Sequence, residues 1–155
     1  MAISGCDAGR ASRPRSGSLD LTTTVVLLPT PTTQDGANNG GPSQFKRNTP
    51  PLNTRVLMLP AADAVQEWEE YEPAIRRWES VMGPAPIPTE ISAKGKRVLS
   101  ARFAEWMMGQ PAGWVTDPAI GISRGEQIKA CGNGVVTQQA AFALADMLES
   151  MGEAA

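Results

Sequence analysis

The sequence predicts a mostly α-helical fold with short β strands and long irregular segments. Helices are indicated by apolar residues at helical spacing, as in Ile75, Trp78 and Met82, and by capping residues that precede other apolar segments. The irregular segments follow from Gly and Pro, which number 15 and 13 in the 155-residue chain. All four tryptophans lie between residues 68 and 114, so we expect the core between about residues 61 and 151.

The amino-terminal part predicts two short strands separated by a long loop. Residues 1–20 are rich in Ser, Arg and Gly without periodicity, which is typical of a disordered tail. Leu21–Leu28 and Arg55–Leu59 are apolar segments that each stop at a proline, so both are strand candidates. Residues 32–53 contain many turn formers and predict the loop between them.

Start and stop signals predict a series of helices after residue 60. A short helix over Ala64–Glu70 precedes one that begins at Pro73 and runs to about Met82, ending at Gly83. Residues 84–98 predict a linker that is Pro-rich and then basic. The next predicted helix is Ala101–Met108, with Ser100 as N-cap and Gly109 after it. Another runs from the Ser123–Glu126 capping box to about Cys131. The last runs from Thr137 to about Met151 and is closed by Gly152.

Charge and cysteine usage exclude several classes of site. The formal net charge is −2, but residues 1–60 carry six Lys or Arg against three Asp or Glu. This basic front could lie against phosphate or form a solvated tail. With no histidine and only Cys6 and Cys131, a Cys/His zinc site, a His-based triad and a disulfide framework are excluded. The sequence shows no signal peptide or membrane span, so the expected location is cytoplasmic.

Two motifs towards the carboxyl end carry a resemblance to a known family. Leu99–Trp114 (LSARFAEWMMGQPAGW) resembles the ninth conserved motif of DNA cytosine-5 methyltransferases, a helix that begins with Leu-Ser/Thr and ends near Gly-x-Pro-x-Gly-Trp/Phe. Lys129–Val136 (KACGNGVV) is similar to the tenth motif. Shorter runs at residues 27–31, 41–42 and 76–79 resemble the target-recognition region of bacterial and phage members. The resemblance covers roughly residues 25–150 and is strongest over 97–148.

The Gly132-Asn133-Gly134 run predicts a turn between two helices. Glycine adopts positive φ at little cost and asparagine tolerates it, so we expect a turn that exposes backbone N–H groups and leaves room for a ligand. The resemblance implies that Asn133, Gly134 and Val135 line an S-adenosylmethionine pocket. A plain helix–helix turn is the alternative.

The resemblance implies a specific reaction. These enzymes transfer a methyl group from S-adenosylmethionine to C5 of a cytosine flipped out of duplex DNA, and a cysteine in a Pro-Cys dipeptide attacks C6. In the family the tenth motif folds onto a doubly wound α/β catalytic domain. Here Cys6 follows Gly5 and Cys131 follows Ala130, so neither matches the nucleophile. We therefore expect the carboxyl-terminal fragment of an α/β S-adenosylmethionine-dependent methyltransferase, inactive alone, which needs a separate amino-terminal subunit.

The expected organisation has three parts: a tail over 1–20, a partial target-recognition region and linker over 21–95, and a helical region over 96–151 that packs on a catalytic domain. Lys94, Lys96 and Arg97 are candidate contacts to DNA phosphate, or part of a solvated linker. Gln34, Asp35 and Asn38–Gly41 could contact base edges, or form a flexible loop. Trp106 and Trp114 are expected to pack in a core rather than on DNA.

Three hypotheses for the function remain open. The chain is part of a methyltransferase that acts on duplex DNA, a non-catalytic DNA-binding module, or a methyltransferase remnant that does not fold stably. In the last case the Ala/Leu stripe of the final helix would be exposed.

Overall fold

The computed structural model describes residues 26–37, 41–61 and 67–153, and this part of the chain is mostly helical with one two-stranded sheet. The predicted class, mostly α with short strands, is confirmed. The predicted tail over residues 1–20 lies outside the described residues. The helices are α1 (Thr33–Ala37), α2 (Pro42–Phe45), α3 (Leu52–Met58), α4 (Glu72–Met82), α5 (Ala101–Met107), α6 (Arg124–Asn133) and α7 (Thr137–Glu153), with strands β1 (Thr89–Ile91) and β2 (Arg97–Leu99) and 3-10 turns at Glu69–Tyr71 and Pro118–Ile120.

Helices with local end signals lie where the sequence predicts them. Helix α4 carries Pro73 in its first turn and ends at Gly83, which has φ of +79°. Helix α6 begins with the predicted capping box, in which the Ser123 hydroxyl accepts from the Glu126 N–H and the Glu126 carboxylate accepts from the Ser123 N–H at 2.8 Å. Helix α5 is followed by Gly109 with φ of +67°.

The second strand candidate is wrong, because Arg55–Leu59 lies mostly within helix α3. Two distant side chains fix the ends of this helix. The Asp35 carboxylate accepts from the Asn53 N–H at 2.9 Å, and the Arg97 guanidinium donates to the carbonyls of Val56 and Leu59 at 3.1 and 2.8 Å. These tertiary contacts override the local β propensity.

Other expectations in the amino-terminal half also change. The predicted loop over 32–53 contains helices α1 and α2 and the start of α3. Of the first strand candidate, residues 21–25 lie outside the described residues, and residues 26–28 have no regular structure. Of the predicted helix over Ala64–Glu70, residues 64–66 also lie outside, and a 3-10 turn begins at Glu69.

The predicted linker over 84–98 contains an antiparallel hairpin instead. Strand β1 pairs with β2 in the register Thr89↔Leu99 and Ile91↔Arg97. The turn between them closes where the Ser92 N–H donates to the Lys96 carbonyl at 2.8 Å, and Gly95 supplies a φ of +70°. Val98 and Leu99, which point to opposite faces of β2, are both buried, so the rest of the fold covers this strand on both faces.

A single core joins segments on either side of residue 95, where the sequence predicts a boundary between two regions. Phe103 of α5 is at its centre, with ring centroids 5.6 Å from Trp68 and 5.7 Å from Trp106. Helix α3, predicted outside the core, contributes the fully buried Leu52 and Val56. The other members are Leu59, Tyr71, Ile75, Leu99, Ala101, Ala104, Met108, Ile128 and Cys131.

The final helix, α7, contributes little to this core. Val136, just before it, packs against the core, but every residue from Ala141 to Gly152 is exposed. None of the helices in the described ranges combines the length and apolarity required to cross a bilayer.

Candidate functional site

The carboxylate of Glu105 folds the loop that follows α5. Glu105 is buried on the inner side of α5, and its Oε1 accepts from the N–H groups of Val115 and Thr116 at 2.6 and 3.1 Å. Its Oε2 accepts from the Gly113 N–H at 3.0 Å and from the Thr116 hydroxyl at 2.8 Å. One charged side chain thus satisfies three backbone donors and a hydroxyl, which fixes the segment that resembles the end of the ninth motif.

The two tryptophans of this segment have different environments. Trp106 is buried as expected, and its Nε1 donates to the Gly83 carbonyl at 3.1 Å. Trp114 is 64% exposed, so the expectation that it packs in the core is wrong. The reason is the Glu105 contact, because the backbone on both sides of Trp114, at Gly113 and Val115, is drawn towards the carboxylate.

The segment that resembles the tenth motif lies between α6 and α7, at the surface. Asn133 is the last residue of α6, and its Oδ1 accepts from the Thr33 hydroxyl at 2.6 Å. Gly134 is exposed and its N–H donates to the Cys131 carbonyl at 3.0 Å. The Val135 side chain is 70% exposed. The predicted cofactor-binding residues are therefore consecutive and accessible.

The predicted positive-φ turn is wrong, because the two glycines have other roles. Gly132 lies within helix α6, and Gly134 is extended with φ of −82° and ψ of 171°. A Cβ on Gly132 would collide with the backbone of Thr32 and Thr33. The space predicted for a ligand is thus occupied by the start of α1, and glycine at position 132 permits that close approach.

Asp35 has a structural role instead of the predicted contact to DNA bases. It is buried, its Oδ2 accepts from the N–H and hydroxyl of Thr32 at 2.8 and 2.7 Å, and its Oδ1 bonds the Asn53 N–H. It therefore joins the starts of α1 and α3. The Thr32–Asp35 spacing matches a capping box, a signal that could have identified the contact at the start of α1 but not the contact to α3. Gln34 is exposed, and Asn38–Gly40 lie outside the described residues.

The three candidate phosphate contacts do not form one cluster of available charges. Lys94 and Lys96 are exposed on the turn between β1 and β2. Arg97 uses its guanidinium within the fold, where Nε donates to the Thr89 hydroxyl at 3.1 Å and Nη2 bonds the end of α3. Of the three candidates, only Lys94 and Lys96 therefore have side chains accessible to a DNA phosphate.

Cys131 is unsuited to nucleophilic catalysis in this fold. Its side chain is fully buried, and Sγ lies 3.6 Å from the Gln110 Oε1. Burial, with a smaller contribution from the negative charge of Glu105, raises the pKa of this thiol to about 11. Within the described ranges, no group of three or more His, Cys, Asp and Glu side chains could hold a metal ion.

Asn133, Gly134 and Val135 fit one wall of a cofactor pocket. The Thr33 hydroxyl occupies Asn133 Oδ1, so the NH2 of that amide is the donor it can offer a ligand, while Val135 offers an apolar surface. Pockets for cofactors enclose most of the ligand surface, which three consecutive surface residues do not. A second body would have to supply the remaining walls.

Two concavities lie elsewhere on the surface of the described residues. The first, of about 590 Å³, lies between α5 and the loop that Glu105 fixes, and its lining includes Pro84, Pro86, Arg102, Trp106, Gln110 and Asp117. The second, of about 560 Å³, is an apolar groove beside α4, here called the α4 groove. It is lined chiefly by Leu27, Leu28, Ile75, Trp78, Val81 and Met107, with Arg77, Val136 and Gln139 also contributing.

Comparison with family models gives no match to this chain, and comparisons with curated proteins and with solved structures give none either.

Proposed function

We propose that this chain is the carboxyl-terminal portion of a DNA cytosine-5 methyltransferase. It contributes to methyl transfer from S-adenosylmethionine to cytosine C5 in duplex DNA, in the cytoplasm, and it acts only together with a catalytic portion that carries the Pro-Cys nucleophile. The resemblance of Leu99–Trp114 and Lys129–Val136 to the ninth and tenth motifs is the basis of the proposal. S-Adenosylmethionine, when bound, supplies the methyl group.

The exposure of the tenth-motif-like segment is the structural observation that carries this proposal. Asn133, Gly134 and Val135 face away from the core, and the helix that follows them has no cover from Ala141 to Gly152. A segment whose role is to complete another domain's pocket needs both properties. In this role Val135 packs on the cofactor, Asn133 donates to it, and Thr33 holds the Asn133 amide in place.

The first test asks whether the chain acts alone. Purified chain incubated with labelled S-adenosylmethionine and a cytosine-containing duplex should transfer no label, because neither cysteine stands in a Pro-Cys dipeptide and the Cys131 thiol is buried. Label in the DNA would contradict the proposal.

The second test adds a catalytic portion to the chain. Mixed with a catalytic portion from a bacterial or phage member that carries motifs one to eight, the chain should support transfer. Val135→Ala should then raise the KM for S-adenosylmethionine about tenfold, because two buried methyl groups are lost from the pocket. Ile91→Ala is the matched control, since Ile91 is 71% exposed on the hairpin. An equal effect of both substitutions would count against the assigned site.

A non-catalytic DNA-binding module is the second candidate, and the exposed pair Lys94 and Lys96 favours it. Replacing both lysines by alanine should weaken DNA binding in a gel shift. The slope of log K against the logarithm of the salt concentration should fall by about two, because about two fewer counterions are released. The control is Lys46→Ala with Lys129→Ala, which removes two exposed charges elsewhere. Equal weakening by both double variants would show that binding depends on total charge rather than on the hairpin turn.

A further inference from the structure

The concavity between α5 and the loop that follows it, here called the α5 cavity, has rigid walls. Its volume is about 590 Å³, within the range of pockets that hold small molecules. The backbone at Gly113 and Thr116, which forms part of the wall, is held by the hydrogen bonds of the Glu105 carboxylate. Proline has a fixed φ, so proline walls lose little freedom when a ligand binds. Four prolines line this cavity: Pro84, Pro86, Pro111 and Pro118.

Trp106 and Met82 give the α5 cavity an apolar surface. The polar atoms of both side chains already have partners within the fold. Trp106 Nε1 donates to the Gly83 carbonyl at 3.1 Å, and Met82 Sδ accepts from Gln138 Nε2 at 3.1 Å. These two side chains therefore present carbon surface to the cavity, which fits an apolar or aromatic group of a ligand.

Arg102 brings an uncompensated positive charge to the α5 cavity. It lies in the first turn of α5, and its side chain is exposed and lines the cavity. It forms neither a hydrogen bond nor an ion pair with any residue in the described ranges. The guanidinium therefore keeps its donors for a ligand, and a carboxylate is a group that it can bind through two parallel hydrogen bonds.

Asp117 brings an uncompensated negative charge to the same cavity. Its Oδ1 accepts from the Ala119 N–H at 2.8 Å, which fixes the carboxylate at the start of the 3-10 turn. Within the described ranges its Oδ2 accepts no hydrogen bond. Arg102 and Asp117 line one cavity, but no guanidinium nitrogen lies within 4.0 Å of the carboxylate. Each charge is therefore left for a group of opposite sign on a ligand.

We propose that the α5 cavity binds a small zwitterion of the amino-acid or short-peptide class. The carboxylate of the ligand pairs with Arg102, its ammonium group pairs with Asp117, and its apolar side chain lies on Trp106. The charges of the lining favour this class over a nucleotide or free phosphate, because Arg102 is accompanied by two carboxylates, those of Asp117 and Glu105. An uncharged apolar ligand would cover both charges without compensating them.

The test is an NMR titration of the full chain with three zwitterions: phenylalanine, glycyl-phenylalanine and glycyl-glycyl-phenylalanine. They differ in the distance between ammonium and carboxylate. We expect at least one to bind with a dissociation constant of about 1 mM or lower and to shift the indole N–H signal of Trp106. Amidation of its carboxylate and acetylation of its amine should each weaken binding about threefold or more, because each removes one ion pair.

Two variants assign each charge of the ligand to its partner. Arg102→Gln should bind the amidated and the unmodified probe equally, and Asp117→Asn should bind the acetylated and the unmodified probe equally. Asparagine can still cap the 3-10 turn, and Arg102 is exposed, so both variants should fold. Lys129→Gln is the control, since Lys129 is exposed on α6 outside the cavity lining, and it should bind like the wild type.

Each other outcome would overturn the proposal. No binding of any probe at up to about 10 mM excludes the site. Binding that is insensitive to amidation and acetylation means that apolar contact alone attracts the probes. Equal charge sensitivity in the wild type and both variants, or an equal effect of Lys129→Gln, means that these two residues are not the partners. The site goes beyond the proposed function, and the titration uses no S-adenosylmethionine, DNA or catalytic portion, so either idea can fail without the other.

Discussion

The buried carboxylate of Glu105 determines the conformation of a whole loop. Four donors within 3.1 Å compensate its burial, and three of them belong to the backbone between Gly113 and Thr116. An acceptor-only side chain is required here, because every facing group is a donor. The sequence places Glu105 within a helix but indicates no role for its side chain, since its partners lie eight to eleven residues further on.

Glu105→Gln should lower the free energy of unfolding by about 2–4 kcal/mol. The amide NH2 replaces one oxygen and faces donors, so at least one buried N–H loses its acceptor. Urea denaturation followed by circular dichroism measures the change. Glu149→Gln, at an exposed position of α7, is the control and should change stability by less than about 0.5 kcal/mol. Equal stability of the two variants would mean that Glu105 does not hold the loop.

The raised pKa of Cys131 predicts how stability depends on alkaline pH. The folded state holds the thiol proton to about pH 11, whereas the ordinary value is 9.0. The contribution of this thiol to the free energy of unfolding is therefore complete below about pH 9. It is lost as the pH rises through about 11, because in this range the thiol ionises in the unfolded state but keeps its proton in the folded state. Cys131→Ala should show a shallower loss of stability over this range in denaturant titrations at several pH values. Parallel pH profiles for the two proteins would contradict the assignment.

At the scale of elements, the contact between α1 and α6 depends on small residues. Gly132 of α6 faces the backbone of Thr32 and Thr33, and Gly36 of α1 lies against the Gly125 carbonyl. At both glycines the backbone of the other helix or of the residues beside it lies where a Cβ would be, so the two helices approach each other closely. This contact places Thr33 against Asn133, so it also fixes the candidate cofactor residue.

Gly132→Ala should therefore destabilise the fold by about 2 kcal/mol or more, because the added methyl group meets backbone that cannot rotate away. Gly152→Ala is the matched control, since a Cβ there meets nothing within 4 Å, and it should change stability by less than about 1 kcal/mol. Thermal melting of both variants checks the difference. If Gly132→Ala melts like the wild type, the close approach of α1 and α6 is not needed for stability.

The sequence predicts elements well where the signal for an element lies inside it. Helices α4 and α6 carry their own proline, glycine or capping box, and they begin within a residue of the predicted positions. The apolar run of helix α3 predicts a strand, because the contacts that fix its helical ends come from Asp35 and Arg97, far from it in the chain. The hairpin carries no local signal, because β2 packs on the distant helix α3.

The same reasoning applies to the candidate site. Asn133, Gly134 and Val135 are accessible, as a ligand-binding role requires, but their turn has no positive φ. The exposure of Trp114 was not predictable, because it follows from the hydrogen bonds of Glu105 rather than from helical spacing. Their roles in methyl transfer stay predictions, which the transfer assays test.

At the scale of the whole molecule, one core joins the predicted recognition region over 21–95 to the motif-bearing region over 96–151. Phe103 and Ile128 from the second region pack with Leu52, Val56 and Ile75 from the first. Arg97 and Asp35 add hydrogen bonds between distant parts of the chain. The two regions therefore share one core, while Asn133–Val135 and residues 141–152 of α7 are exposed.

This arrangement predicts that residues 96–155 do not fold alone. Without Leu52, Val56 and Tyr71, the apolar faces of α5 and α6 lose much of their cover, so the fragment should show no cooperative thermal transition, whereas the full chain should melt in one. A chain shortened to end at Ala140 is the control for truncation itself. This chain lacks residues 141–155, of which 141–152 are exposed on α7, and it should keep the cooperative transition. A sharp melting transition in the 96–155 fragment would mean that the motif-bearing region has a core of its own.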